Sequence, residues 1–171
     1  MPSGSCAATL RVFYLELFSE DPKLLEEAKA LAAKTYEFSE FLVNVLKVED
    51  AAACGATHQG TATYHPSCHL LRELGVKSEP RKLLRSVPGL EEKELEGAEV
   101  CCGFGGTFSV KFPHISEGMV GDKIANVQAS GADTLVSCDM SCLMNIGGAL
   151  NRQGSKIKIR HLAQILDSDS D

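Results

Sequence analysis

Thr134-Leu135-Val136-Ser137-Cys138-Asp139-Met140-Ser141-Cys142 decides the fold. The first four residues carry no charge and read as a buried strand. A helix follows at once, from about Ser141 to Asn151. A strand that feeds straight into a helix is the unit from which parallel sheets are built, because parallel neighbours need a crossover connection. The same succession recurs on both sides. Upstream, Thr61-Ala62-Thr63-Tyr64 reads as a short strand that breaks at His65-Pro66. Ser67 is placed to cap a helix carrying Cys68, Leu70, Leu71 and Leu74, with Gly75 ending it. Ala98-Glu99-Val100-Cys101 reads as a second strand. Pro113 then opens a helix to about Ser130, with Ile115, Met119, Val120, Ile124 and Val127 as its buried face and Gly131 as its end. Downstream, Lys156-Ile157-Lys158-Ile159 reads as a last strand and His161 to Leu166 as a last helix. The expected architecture is α/β: a mostly parallel sheet flanked by helices, three-layered and Rossmann-like.

The N-terminal part is helical by pattern. Asp21-Pro22 supplies an N-cap and a first-turn proline ahead of the apolar stripe Leu24, Leu25, Ala28, Leu31, Ala32 and Thr35. A second helix is expected from Ser39, with Phe38 and Val43 as a staple and Phe41, Leu42, Val45 and Leu46 facing inward. Residues 49–60 read as a connecting loop. Pro80 to Arg85 reads as a short basic helix, closed by the turn Val87-Pro88-Gly89. Its Arg81, Lys82 and Arg85 form either a solvated face or a docking patch for an acidic partner. The acidic tail Asp167 to Asp171 is expected to fray.

At 171 residues the chain holds one domain, or one domain and a fragment of another. Its net charge of −6 argues against nucleic acid or an anionic membrane surface as the main partner, since both require a basic footprint. No apolar run approaches the roughly 20 residues of a spanning helix. Met1-Pro2-Ser3-Gly4-Ser5-Cys6 has neither the charged nor the apolar segment of a secretory signal, which points to the cytoplasm. Seven cysteines are then too many to explain by disulfides, which a reducing compartment disfavours and an odd count cannot complete.

Four of those cysteines fall at strand-to-helix turns: Cys68, Cys101, Cys102 and Cys142. In an open parallel sheet such turns, at the carboxyl ends of the strands, build the site. Cys101-Cys102-Gly103-Phe104-Gly105-Gly106 is its most specific element. Adjacent side chains diverge, so neighbouring thiolates reach different irons of one cluster more easily than a single tetrahedral zinc. Gly103, Gly105 and Gly106 allow the backbone to approach closely and direct N–H groups at sulfur. The reading favoured by the residues is an iron–sulfur cluster; Cys138 is a further possible ligand. Two alternatives stand beside it. One is a structural zinc site, with nitrogen supplied by His65 or His69 on either side of Cys68. The other is a thiol–disulfide enzyme acting through Cys101 or Cys102. Cys54, in an Ala/Gly loop, is read as incidental. The chain start, ending in Ser5-Cys6, also matches the Ser141-Cys142 step, a trace of an internal repeat.

Taken together these motifs resemble the cysteine-rich CCG-domain proteins, which include the iron–sulfur subunit of glycolate oxidase and the catalytic subunit of heterodisulfide reductase. The resemblance runs through Pro2–Cys6, Lys34–Glu37, Val43–Leu46, Ser67–His69, Cys101–Lys111 and Cys142–Gly148. It implies an electron-transfer subunit with a [4Fe-4S]-type cluster, working with two partner proteins in the oxidation of L-lactate to pyruvate or of a related 2-hydroxy acid such as glycolate. Cys68, Cys101, Cys102 and Cys142 match the second of the family's two cysteine sets, and Cys6 the closing cysteine of the first. The family's closing Cys-x₂-Cys is Cys138-x₃-Cys142 here, which puts Cys138 in doubt as a ligand. On this reading residues 1–50 are the end of a first repeat with connecting helices, and 51–171 form the second cysteine-rich domain. The chain then resembles the C-terminal two-thirds of a longer protein, and an apolar flank facing the absent half is expected to favour self-association.

Overall fold

The computed structural model describes residues 1–167; positions 168–171 of the acidic tail and the side chain of Cys54 lie outside the described residues. Four strands form one sheet: β1 (Gly60–His65), β2 (Leu90–Lys93), β3 (Thr134–Ser137) and β4 (Lys158–His161). All are parallel, in the order β2-β1-β3-β4. The register aligns Thr63 with Leu135 and Ile159, and His65 with Ser137 and His161. From β1 the chain passes outward to β2 and then crosses back to β3. The crevice at the carboxyl ends of β1 and β3 is therefore the switch point where open α/β sheets bind ligands.

The helices are α1 over 4–17, α2 (Pro22–Ala32), α3 over 38–45, α4 (His69–Glu73), α5 (Glu79–Arg85), α6 (Thr107–Lys111), α7 (Pro113–Ala129), α8 (Met140–Arg152) and α9 (Leu162–Ile165). They cover both faces of the sheet, as a three-layer fold requires. Tyr64 and Val136 face a core with Leu83 and Leu84 of α5 and Leu162 and Ile165 of α9, against which Leu42 and Val43 of α3 also pack. Leu135 faces the opposite core, built with Val120, Ile124 and Val127 of α7 and Leu143, Ile146 and Leu150 of α8.

The second strand lies elsewhere than its sequence suggests. Ala98–Val100 is a turn and Val100 is 54 % exposed, whereas the charged segment Leu90–Lys93 makes the sheet edge. The edge is held by ion pairs instead of apolar packing. Glu92, its carboxylate 6 % exposed, bonds both Arg81 and Arg85. The basic face of α5 is thus largely spoken for: Arg81 also lies over the Tyr64 ring, 5.5 Å from its centroid, and Lys82 approaches Glu49 at 3.8 Å. A lost apolar signal and an apolar decoy at Val100 account for the misplacement.

Two helix faces also differ. On α7 the inward positions are Ser116, Val120, Lys123, Ile124 and Val127, while Ile115 is exposed. In α3 the turn Phe41–Val45 is a π-helix, seen in the Leu46 N–H to Phe41 carbonyl bond of 3.0 Å. The wider turn carries Leu42 and Val43 toward the core and leaves Phe41, Val45 and Leu46 exposed. Its N-cap is Glu37, in a capping box with Glu40, so the helix begins at Phe38. The last strand is shifted to Lys158–His161. No helix among the described residues is long and apolar enough to cross a membrane.

Candidate metal centre

Each clustered thiol is delivered by a different connection. Cys68 leads into α4 after β1, where the Ser67 hydroxyl accepts the Leu70 N–H at 3.2 Å. Cys101 and Cys102 sit on the loop between β2 and α6. Cys142 is in the first turn of α8, whose N-cap is Asp139. Cys68, Cys101, Cys102 and Cys142 are close enough to shift one another's ionisation. They line a cavity of about 360 Å³ at the switch point, together with Phe104 and Asp139. Gly105 and Gly106 line it too, and Gly103 lies just behind.

Cys138 is not among them. It is fully buried in the opposite core, where the Tyr64 hydroxyl lies 3.8 Å from its sulfur. Consecutive strand-end side chains point to opposite faces, which separates Cys138 from the row of Ser137. Cys6 is exposed, in the first turn of α1. His69 stays beside Cys68, its Nδ1 at 3.9 Å from the Cys68 sulfur, and stacks edge-on with Phe13.

The Cys-Cys turn is fixed from behind. Gly103 has φ +84°, and a Cβ there would sit 2.8 Å from both Met119 Cβ and the Ser116 carbonyl oxygen, so only glycine fits. Ser116 Oγ donates to the Gly103 carbonyl at 2.7 Å, and Asn145 Nδ2 to the Cys102 carbonyl at 2.9 Å. The Gly103 N–H is directed at Cys101 Sγ, 3.3 Å away. Asp139 ties the neighbouring segments together. It accepts the Ser141 N–H at 3.1 Å and the Ser5 N–H at 2.8 Å, joining the start of α8 to the start of α1. Gly4 lets α1 approach, since a Cβ would meet Leu70 Cβ at 2.7 Å.

The electrostatics favour a thiolate at Cys101. Hydrogen bonds from Cys102 and Cys68, then from the Gly103 N–H, hold its thiol far below the usual range. Its two donors are pushed up in return, Cys68 by its bond to Cys101 and Cys102 by its bonds to Cys101 and Cys142, with burial adding to both. The thiols thus share their protons, and complete ionisation in this space requires a cation. A positive charge already stands nearby. Lys123 is buried, with Nζ donating to the Gly97 carbonyl at 2.6 Å and the Ala98 carbonyl at 3.2 Å. Burial pulls its ammonium down, while Cys102, Cys101 and Cys142 act to keep it charged.

His65 closes the group. A ring nitrogen lies with the Cys102 and Cys142 sulfurs inside a 4.8 Å circle. The ring is 1 % exposed, and neither nitrogen makes a hydrogen bond. The Ala98 carbonyl lies close enough to favour its protonated form without meeting hydrogen-bond geometry. Burial and then the charge of Lys123 push the imidazolium down to about 4, so the ring is neutral at pH 7.

In the sequence alone His65 stands out only as a zinc donor, and Lys123 does not stand out. Lys123 does carry a signal: it occupies an inward position, three residues after Val120 and four before Val127.

Residues 62–147, which span all four clustered thiols, match the family model described as CCG, cysteine-rich domain. The chain is 53 % identical over 166 residues to Lactate utilization protein A of Lysinibacillus sphaericus, covering 97 % of this chain and 71 % of that protein. The chain belongs to the lactate utilization protein A family of CCG cysteine-rich proteins. Within that family it is 53 % identical over 167 residues to the Bacillus subtilis protein (98 % and 68 % of the two chains). It is 54 % identical over 166 residues to the one from Geobacillus thermodenitrificans (97 % and 68 %).

Proposed function

We propose that the chain is the electron-carrying member of a system that oxidises L-lactate, or a related 2-hydroxy acid such as glycolate, and that Cys68, Cys101, Cys102 and Cys142 hold an iron–sulfur cluster of the [4Fe-4S] type. The observation that carries this reading is the convergence of four thiols on one cavity at the switch point. Thiolate donors of this softness select iron–sulfur clusters, zinc or copper(I). The names of the relatives point to lactate.

A bound cluster supplies one-electron exchange, at a potential set by charge and hydrogen bonds around it. The chain's own residues set those conditions. The Gly103 N–H donates to the Cys101 sulfur, and Lys123 places a positive charge beside the thiolates. Asn145 and Ser116 lock the turn that aims Cys101 and Cys102. Conversion of L-lactate to pyruvate gives up two electrons and two protons; of the partner proteins, two in number on this reading, one carries out that step and the other accepts the electrons, which this chain relays between them one at a time. We place the system in the cytoplasm.

Residues 1–50 are assigned to the end of a first repeat and 51–171 to the second cysteine-rich domain. Cys6 and Cys142 each stand third in their helices, behind a side-chain N-cap at Ser3 and Asp139, which supports the repeat. Leu17, Leu24, Tyr36, Phe41, Val45 and Leu46 are exposed in the first 50 residues, which supports a covered surface there, taken by a partner or a second copy. The second reading of the site is a zinc ion, favoured by the meeting of His65, Cys102 and Cys142.

The test is anaerobic reconstitution followed by reduction. The expected result is a brown protein with an EPR signal after dithionite, reduced by L-lactate only when the partner proteins are present. A colourless protein holding one zinc per chain contradicts the reading.

A further inference from the structure

His65 ends β1 at the point where the chain leaves the sheet for Cys68. Three features set it apart from a packed core histidine. Its ring is buried, yet both nitrogens lack a hydrogen bond, and a buried polar group is normally paired. One nitrogen lies with the Cys102 and Cys142 sulfurs inside a 4.8 Å circle, a spacing that suits donors around one metal ion. Its in-register neighbour Ser137, on the same face of β3, also has an unpartnered hydroxyl.

Resting on the cluster reading above, we propose that His65 is itself a ligand: one ring nitrogen, beside the Cys102 and Cys142 thiolates, binds metal in the centre, making the donor set mixed nitrogen and sulfur. Imidazole binds metal through a ring nitrogen, and neither nitrogen of His65 is taken up by a hydrogen bond. A ligating histidine is oriented by what its second nitrogen faces, commonly a backbone carbonyl or a polar side chain. The Ala98 carbonyl lies near the ring and Ser137 is its neighbour on β3, neither of them bonded to it here.

A neutral nitrogen in place of an anionic thiolate raises a cluster's potential. The mixed set therefore has a spectroscopic and a thermodynamic signature that does not depend on lactate turnover. The test uses the full chain, reconstituted anaerobically with iron and sulfide, carrying ¹⁵N-labelled histidine in one sample and natural nitrogen in another. Pulsed EPR of the reduced protein is expected to show strong coupling to a directly bound histidine nitrogen. His69→Ala should keep that coupling. His65→Cys, which replaces one donor by another, should keep its iron, lose the coupling and show a lower midpoint potential. Iron and sulfide bound with no strong nitrogen coupling, or a coupling that survives His65→Cys, overturns the ligation and leaves the cluster standing. A zinc protein whose X-ray absorption shows one nitrogen among its donors, lost in His65→Cys, keeps His65 as a ligand and overturns the cluster. Failure to bind either metal overturns both.

Discussion

Lys123 shows how much a single side chain contributes here. A buried ammonium costs desolvation, and its two carbonyl bonds offset only part of it. The thiolates offset more. Lys123→Met, of similar length without the charge, should lower the midpoint potential of the reduced centre, because adding an electron loses a nearby cation. Redox titration followed by EPR reads this; an unchanged potential would show that Lys123 only braces the loop. Gly103 makes the opposite kind of contribution, through what it lacks. Gly103→Ala forces a Cβ against Met119 and the Ser116 carbonyl at a left-handed φ and should cost about 1–3 kcal/mol, read as a lower urea midpoint. Cys138 separates site from core. Cys138→Ala should keep the full iron content while losing roughly 1 kcal/mol of stability, since its thiol fills the layer on the other side of the sheet. At this scale the sequence is informative about sulfur and poor about its surroundings. The Cys-Cys-Gly run announces itself, whereas Lys123 and His65 gain meaning only from the packing that leaves one charged and the other unpaired.

At the scale of elements, the start of α8 does more than carry Cys142. Asp139 caps that helix and binds the Ser5 N–H, so one carboxylate organises both copies of the Ser-Cys turn. Asp139→Ala should cost about 1–2 kcal/mol and loosen the start of α1. Burial alone would raise the Asp139 carboxyl, but the bonds from Ser141 and Ser5 outweigh it and hold it below its ordinary 3.8. The folded state therefore binds this proton more weakly than the unfolded state. Its contribution is complete above pH ~4 and disappears as pH falls through the folded-state value. Urea unfolding of the wild type and Asp139→Asn should differ at neutral pH and converge in acid; a gap independent of pH would contradict the capping role. Legibility also varies by element. β1, β3, α7 and α8 are readable because apolar residues define them and Gly or Pro bound them. β2 is not, because Glu92 is buried by Arg81 and Arg85, and periodicity records hydrophobic burial only. The π-turn of α3 is hidden for a related reason: its inward face follows a wider period than 3.6 residues.

For the molecule as a whole, three separate connections bring their thiols to the crevice between β1 and β3. A metal centre there ties the loop of Cys101 and Cys102 to both central strands, so loading should raise the melting temperature and slow amide exchange in residues 94–112 more than elsewhere. Differential scanning calorimetry and hydrogen exchange on apo and loaded protein check this; equal melting temperatures would mean the thiols are preformed but bind nothing of consequence. The fold class is legible from the alternation of strands and helices, and the meeting of four thiols in one cavity from cysteines placed between strand and helix. Strand order was not legible, since it depends on which side of β1 each crossover returns to. The proposed ligation of an iron–sulfur cluster by Cys68, Cys101, Cys102 and Cys142 is the point on which the chemistry turns. Its most direct test is iron and acid-labile sulfide per chain after anaerobic reconstitution, measured in parallel on the wild type, Cys102→Ser and Cys138→Ala. Stoichiometric iron and sulfide are expected in the wild type and Cys138→Ala, and loss of both in Cys102→Ser. Equal iron in all three, or sulfide in none, would contradict it.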